Sequence, residues 1–173
     1  MLGEIFKTMP REKIILATKV GADGVNRQTG EPGPGTTKES ILEKFEVSLN
    51  RLQMNYVDIL YLHGVSNRNL ALAPQVMEAF SELKKQGKIR YAGMSTHQNE
   101  PEVIQTAIDS DLYDVVLTSI NFKHGMADQI KEKAALAAHK GIGIIAMKTM
   151  AGGFMDKERQ QPINCTAALK WVL

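Results

Sequence analysis

A single cysteine, Cys165, occurs in the 173 residues. That excludes a disulfide within the chain and any cysteine-built metal cluster. No block of like charge stands out: 21 basic and 19 acidic residues are spread along the length, for a net charge of +2. Neither nucleic acid nor an anionic membrane is therefore implied as a partner. No apolar run approaches a membrane span, and the N-terminal MLGEIFKTMPREK holds no apolar segment of signal-peptide length. A reducing cytoplasm is the expected compartment.

What is present is an ordinary soluble composition, 43% hydrophobic and 23% charged. Its length suits one domain, residues 1–173, with a core of its own. Apolar strand-like runs occur at 14–20 (IILATKV), 57–63 (VDILYLH), 89–95 (IRYAGMS), 114–120 (DVVLTSI) and 142–148 (IGIIAMK). Between them lie segments of helical period. The first, over 36–52, carries Ile41, Leu42, Phe45, Leu49 and Leu52 on one face, and Thr36 with Glu39 offers a capping box. The second shows Val76, Met77, Phe80 and Leu83, with Gly87 as its stop. A third opens at Asn99 and Pro101, a fourth runs through Ile130, Ala134 and Ala137 to Gly141, and a fifth begins near Thr166. Strand and helix alternate five times at the spacing of a βαβ unit. Parallel strands with right-handed crossovers follow, in a doubly wound sheet or a piece of a (β/α)8 barrel.

Gly141, Gly143 and Ala146 read as G-x-G-x-x-A, the spacing of a dinucleotide fingerprint. That motif needs its glycines after a strand and at a helix N-terminus, where backbone amides meet pyrophosphate. Here they precede the strand IIAMK, so they are expected to form a helix stop and a turn.

Polar groups collect at the strand ends. Lys19 closes the first strand and His63 the second; Ser95 and Thr96 close the third, Ser119 and Asn121 the fourth, Lys148 and Thr149 the fifth. Barrel enzymes build their sites at this end of the sheet. An ammonium at the end of a buried strand is costly without water or a partner, and by itself Lys19 reads as snorkelling into solvent. Lys19 and His63 are expected at matching depths on adjacent strands. The long loop GADGVNRQTGEPGPG after Lys19 is too rich in glycine and proline for a helix; such a loop is a lid or is disordered. No strand ends on a carboxylate, which disfavours a barrel hydrolase or lyase.

The stretches ILATKVG, SLNRLQMNYVDILYLHGV, ELKKQGKIRYAGMSTH, IGIIAMKTMAGG and AALKWVL resemble the aldo-keto reductases, in the family's order and spacing. The resemblance is to the microbial branch with GxSTH and AMK-type strand ends. It implies a (β/α)8 barrel that binds NADPH, or NADH, and reduces a small-molecule carbonyl to an alcohol. In that family a tyrosine supplies the proton, a lysine paired to an aspartate lowers the tyrosine's pKa, and a histidine polarises the carbonyl. By motif the lysine falls on Lys19 and the histidine on His63. A positive charge beside a phenol favours the phenolate and eases proton transfer.

The family's aspartate and tyrosine lie upstream of the segment resembling LGEIFK. On this resemblance the chain is an internal fragment, a partial barrel of about five parallel strands without the first two and the last, and inactive alone. Tyr61 shares a face with His63 but lies roughly 6.6 Å deeper and reads as barrel filler. For the cofactor, the resemblance assigns Ser95 to the nicotinamide amide and puts Thr96 in place of the commoner asparagine. Leu117 stands where many members have glutamine, and Met147 where an aromatic stacks. Lys148, with Ala151, Gly152 and Gly153, is expected at the pyrophosphate; no metal is implied. His97, His124 and His139 read as surface or capping residues. The alternative function is a non-catalytic interaction module on the same fold, a role the potassium-channel β subunits take in this family. Ile59, Tyr61, Val116 and Ala146 are expected to face the barrel interior, and an unclosed sheet is expected to self-associate.

Overall fold

A computed structural model describes residues 2–26 and 29–173. Its helices are α1 (Leu2–Phe6), α2 (Lys38–Leu52), α3 (Arg68–Ala71), α4 (Pro74–Lys85), α5 (Glu100–Asp109), α6 (Ala127–His139) and α7 (Cys165–Val172). The strands are β1 (Ala17–Val20), β2 (Val57–His63), β3 (Ile89–Thr96), β4 (Val115–Ser119) and β5 (Gly143–Met147). All five pair in parallel, in sequence order. An order that never reverses, with crossovers of one hand, sends every helix to the same face. That is the architecture of part of a (β/α)8 barrel; a doubly wound sheet needs a reversal point.

Local chemistry accounts for the boundaries. The first helix of the pattern starts one residue later than expected: Thr37 accepts from the Ser40 amide and Ser40 accepts from the Thr37 amide, a reciprocal capping box. Thr36 instead donates its hydroxyl to the Asp23 carbonyl at 2.6 Å, tying down the loop that follows β1. Residues 27 and 28 of that loop lie outside the described residues. Gly87, at φ 70°, ends α4: its amide bonds to Lys84 O and that of Lys88 to Leu83 O, the paired pattern of a Schellman stop. The Gly141–Gly143–Ala146 stretch is a turn and then strand, as its position before IIAMK requires. The strand expected over 14–20 begins at Ala17, because the Leu16 amide is taken by the Asp58 carboxylate at 2.8 Å.

The core lies between sheet and helices. Val20, Leu60, Leu62, Ala92, Met94 and Val116 face α2, α4 and α5, which supply Ile41, Phe45, Phe80, Leu83, Val103 and Ile104. Register corrects two expected interior residues. Val116 pairs with Met94 and Ile144, and Ala146 pairs with Thr118, so both belong to the helix side. The opposite face carries Ile59, Tyr61, Val115, Leu117 and Ile145. A period of two turns a one-residue shift into the other face.

At the N-terminal end of the sheet, buried Asp58 accepts from Arg11 at 2.7 Å, from Arg90 at 2.9 Å and from the Leu16 amide. The two guanidinium groups stack on the Tyr56 ring at 4.0 and 4.8 Å. This cluster clamps the ends of β1, β2 and β3 opposite the candidate site.

Candidate functional site

The opposite rim is set by parity and register. On the inner face, Lys19 stands beside Tyr61, Gly93, Val115 and Gly143, and the next row outward is His63, Ser95, Leu117 and Ile145. Lys19 is therefore level with Tyr61 and not with His63. The backbone offset is one inward-facing step, roughly 6.6 Å. The flexible lysine stem spans it, and the ammonium is close enough to His63 to bear on its charge. Partial desolvation first, then Lys19, then His97 hold the His63 imidazole below the usual histidine pKa. His63 thus favours the neutral form, which can donate an N–H without carrying charge.

Tyr61 is the filler its position suggested. Its ring is buried across Gly93, and burial raises its pKa. Such a phenol holds its proton more tightly than one in water.

The residues assigned to a nicotinamide cofactor divide. Ser95 is buried at the rim, where its hydroxyl accepts from the Gly64 amide at 3.3 Å. Thr96 points away: it pairs with buried Thr118, and its hydroxyl donates to Gln98 O at 2.6 Å and accepts from the Gln98 amide. It is a turn former, and its side chain lies on the helix side of the sheet, opposite His63 and Ser95. Met147 is half-buried, beside Ser119. After it the backbone turns through left-handed conformations at Lys148, Ala151, Gly152 and Gly153, at φ 56°, 47°, 86° and 85°. Asn121 and Lys123 face this turn across an open cleft of about 420 Å³ that includes Lys148, Met150, Ala151 and Gly152. Asn121 donates to Lys148 O, while Lys123 is spent on the Phe154 and Met155 carbonyls. Lys148 is left exposed at the mouth. Among the described residues the Lys148 ammonium makes no hydrogen bond or ion pair, and a concave backbone turn beside such a charge suits a diphosphate; Ser95 and Met147, on β3 and β5, lie outside the lining of that cleft.

His97, expected at the surface, is exposed just past the end of β3 and near enough to His63 to bear on its charge. One buried group escaped sequence reasoning. Glu100, at the start of α5, is buried and accepts from the Ser119 hydroxyl and from His124 Nε2 at 3.1 Å. The Met126 amide, just before α6, donates to His124 Nδ1 at 3.2 Å, which leaves Nε2 as the nitrogen that donates to Glu100. Burial alone would raise the Glu100 pKa, but these hydrogen bonds hold it below the usual value. A glutamate in a first helical turn looks from sequence like a solvated dipole partner, and no periodicity marks it as buried.

The aldo/keto reductase family model matches residues 1–170. The chain is 30% identical over 159 residues to a probable aldo-keto reductase 1 of Glycine max, covering 89% of this chain and 42% of that protein. It is 35% identical over 95 residues to the aldo-keto reductase yakc of Schizosaccharomyces pombe, named with NADP(+), covering 54% and 27%. In structure it is similar to the holo form of the aldo-keto reductase AKR11C1 from Bacillus halodurans. There the TM-score is 0.69 at 29% identity, over 95% of this chain and 51% of that one. The chain spans about half the length of the curated relatives it matches.

Proposed function

The chain belongs to the aldo/keto reductase family, and we propose that it serves NADPH-dependent reduction of an aldehyde or ketone to an alcohol in the cytoplasm. The observation that carries this reading is the pairing of Lys19 with a His63 biased toward the neutral imidazole, at the C-terminal strand ends. His63 would donate an N–H to the carbonyl oxygen and polarise it. Lys19 would supply positive charge that eases release of a proton from a neighbouring phenol. Ser95, Met147, Lys148, Gly152 and Gly153 would hold the nicotinamide cofactor, which supplies the hydride. Met147 offers a softer, less specific face to the nicotinamide than an aromatic ring. The choice of NADPH over NADH rests on the name of the fission-yeast relative.

The test is loss of nicotinamide absorbance with a reactive aldehyde, in a protein that combines these residues with the family's aspartate and tyrosine. Lys19→Met and His63→Gln should each reduce turnover by at least about a hundredfold, the usual scale for removing an acid–base or electrostatic group. Unchanged turnover in both would overturn the reading. The 173-residue polypeptide alone is expected to show no measurable turnover, with affinity for NADPH poorer than about millimolar, a binding free energy of roughly −4 kcal/mol.

One observation favours the second reading, a non-catalytic interaction module. The tyrosine at the Lys19 level, Tyr61, is packed over Gly93 and its pKa is raised. We place this second: it accounts for Tyr61 but leaves the Lys19–His63 pairing without a use.

A further inference from the structure

Glu100 is a costly residue to bury at a helix start: a carboxylate shut away from water is tolerated only when it is hydrogen-bonded. Its Oε1 accepts from both the Ser119 hydroxyl and His124 Nε2, the latter at 3.1 Å. One oxygen thus pins two points of the chain, the end of β4 and the loop before α6. The start of α5 is anchored in turn, since the Asn99 side chain donates to Ser66 O at 2.8 Å.

The segment between the two pins reaches across to the loop after β5. The Ile120 amide donates to Met147 O at 3.1 Å. Asn121 Nδ2 donates to Lys148 O at 3.2 Å, and Lys123 Nζ donates to the Phe154 and Met155 carbonyls, the latter at 2.8 Å. Within the segment, the Lys123 amide donates to Asn121 Oδ1 at 3.0 Å and the His124 amide to Asn121 O at 3.0 Å. The Asn121 side chain is therefore oriented, with its Nδ2 turned to Lys148. Lys148 O also accepts from the Ala151 amide at 3.0 Å, so the left-handed turn closes on the carbonyl that Asn121 holds.

We propose that Glu100 is a positioning residue for the cleft of Asn121, Lys123, Lys148, Ala151 and Gly152: by holding Ser119 and His124 it fixes Asn121 and Lys123, and through them the turn that receives the cofactor's diphosphate. This rests on the reading of that cleft as the diphosphate seat. Glu100 does not line the cleft. Its influence passes through the segment between the pins, because a buried, fully bonded network has one arrangement and rigidifies what it holds.

The experiment is a nitrogen-15 NMR titration of the full 173-residue chain with inorganic pyrophosphate, read at the Ala151, Gly152 and Gly153 amides. Saturable shifts are expected in the parent chain. Glu100→Ala should weaken binding by a factor of about three to ten, the scale of one hydrogen bond. Glu100→Gln keeps an acceptor oxygen and should stay within about twofold of the parent. Asn121→Ala should lose a similar factor to Glu100→Ala, and the double variant should lose less than the product of the two, since both act through one path. Asp58→Asn, which weakens the fold at the other end of the sheet, should bind pyrophosphate as the parent does. Hydrogen exchange at the Ala151 and Gly153 amides, bonded to Lys148 O and Met150 O, should quicken in Glu100→Ala and not in Asp58→Asn, because loop amides exchange by local opening. If Glu100→Ala does not fold, Ser119→Ala removes one pin and should lose about twofold to threefold. Equal binding by the parent and the pin variants, or an equal loss in Asp58→Asn, overturns the role of Glu100 and leaves the cleft reading in place. Pyrophosphate that moves none of the three amides in the parent removes the cleft reading, and the role of Glu100 with it.

Discussion

Tyr61 and Gly93 form one packing unit: an added Cβ on Gly93 would lie 2.6 Å from Tyr61 Cδ1 and 2.8 Å from Cε1. The ring packs over the neighbouring strand where there is no side chain. It covers the middle of the inner face just below the rim of Lys19, His63 and Ser95.

Gly93→Ala should therefore destabilise the chain by about 1–3 kcal/mol, the scale of an overpacked core position. The Val115 carbonyl, 2.9 Å from the same Cβ, is backbone and cannot swing aside. Urea denaturation checks the size of the effect. Combining Gly93→Ala with Tyr61→Ala should cost less than the sum of the two, since the ring clash disappears with the ring. Additive costs would show that the ring and the glycine do not share the site.

Asp58 gives the acid dependence of the fold. Desolvation pushes its pKa up, but the Leu16 amide, Arg11 and Arg90 outweigh it and the folded value lies below the ordinary one. The unfolded carboxyl titrates near 3.9. The folded state thus binds fewer protons, and its advantage is full above that value and lost as pH falls through the lower folded value. Asp58→Asn should cost about 2–3 kcal/mol at pH 7, as expected for lost hydrogen bonds to charged groups, and should be flatter than the parent between pH 5 and 3. Denaturant midpoints at these pH values decide it; parallel curves for the two proteins would refute the assignment.

The architecture was legible because its signals are local and repeated. Glycines at 87 and 141 stop helices, and apolar runs of five to seven residues mark parallel strands, buried at β2 and more open at β5. The rim was legible too, since Lys19, His63 and Ser95 sit at strand ends. What failed was phase and depth. Val116 and Ala146 sat on the wrong face because continuous apolar runs such as VVLTSI have no alternation to read. Lys19 was placed level with His63, while the register puts it beside Tyr61. Thr36 and Thr37 are both plausible caps in isolation; the Asp23 carbonyl decides between them by occupying Thr36. Glu100 was missed for a similar reason, because its partners come from another strand and a loop.

The Glu100 cluster yields a spectroscopic outcome. With the Met126 amide donating to Nδ1 and Glu100 accepting from Nε2, His124 should be the Nε2–H tautomer at pH 7. Nitrogen-15 shifts of the ring report this directly. Glu100→Gln should cost about 1–2 kcal/mol, because the Ser119 and His124 bonds, both accepted by one carboxylate oxygen, lose the help of its charge. An Nδ1–H tautomer in the parent chain would remove the basis for this network.

The last outcome concerns the sheet itself. Among the described residues, β1 and β5 each pair on one side only, and the inner face exposes Tyr91 at 51% and Ile145 at 41%. Ile15, just before β1, is 83% exposed. Ile59 and Tyr61 on β2 are buried, whereas Tyr91 on the central strand β3 and Ile145 on the edge strand β5 are open. Unpaired strand edges beside apolar side chains template further pairing unless charge or proline guards them. Lys19 guards β1 in part; no charged residue lies within β5, and Lys148 stands just beyond its end. The purified 173-residue chain is therefore expected to self-associate through these edges, with aggregation as the competing route. Sedimentation velocity across a concentration series should show mass rising above the 19.1 kDa monomer. Hydrogen exchange should show the β1 and β5 amides gaining protection with concentration. Adding charge at the exposed edge, as in Ile145→Lys, should shift the chain back toward monomer. A monodisperse monomer with concentration-independent, strongly protected edge amides would show that the edges are closed within one chain.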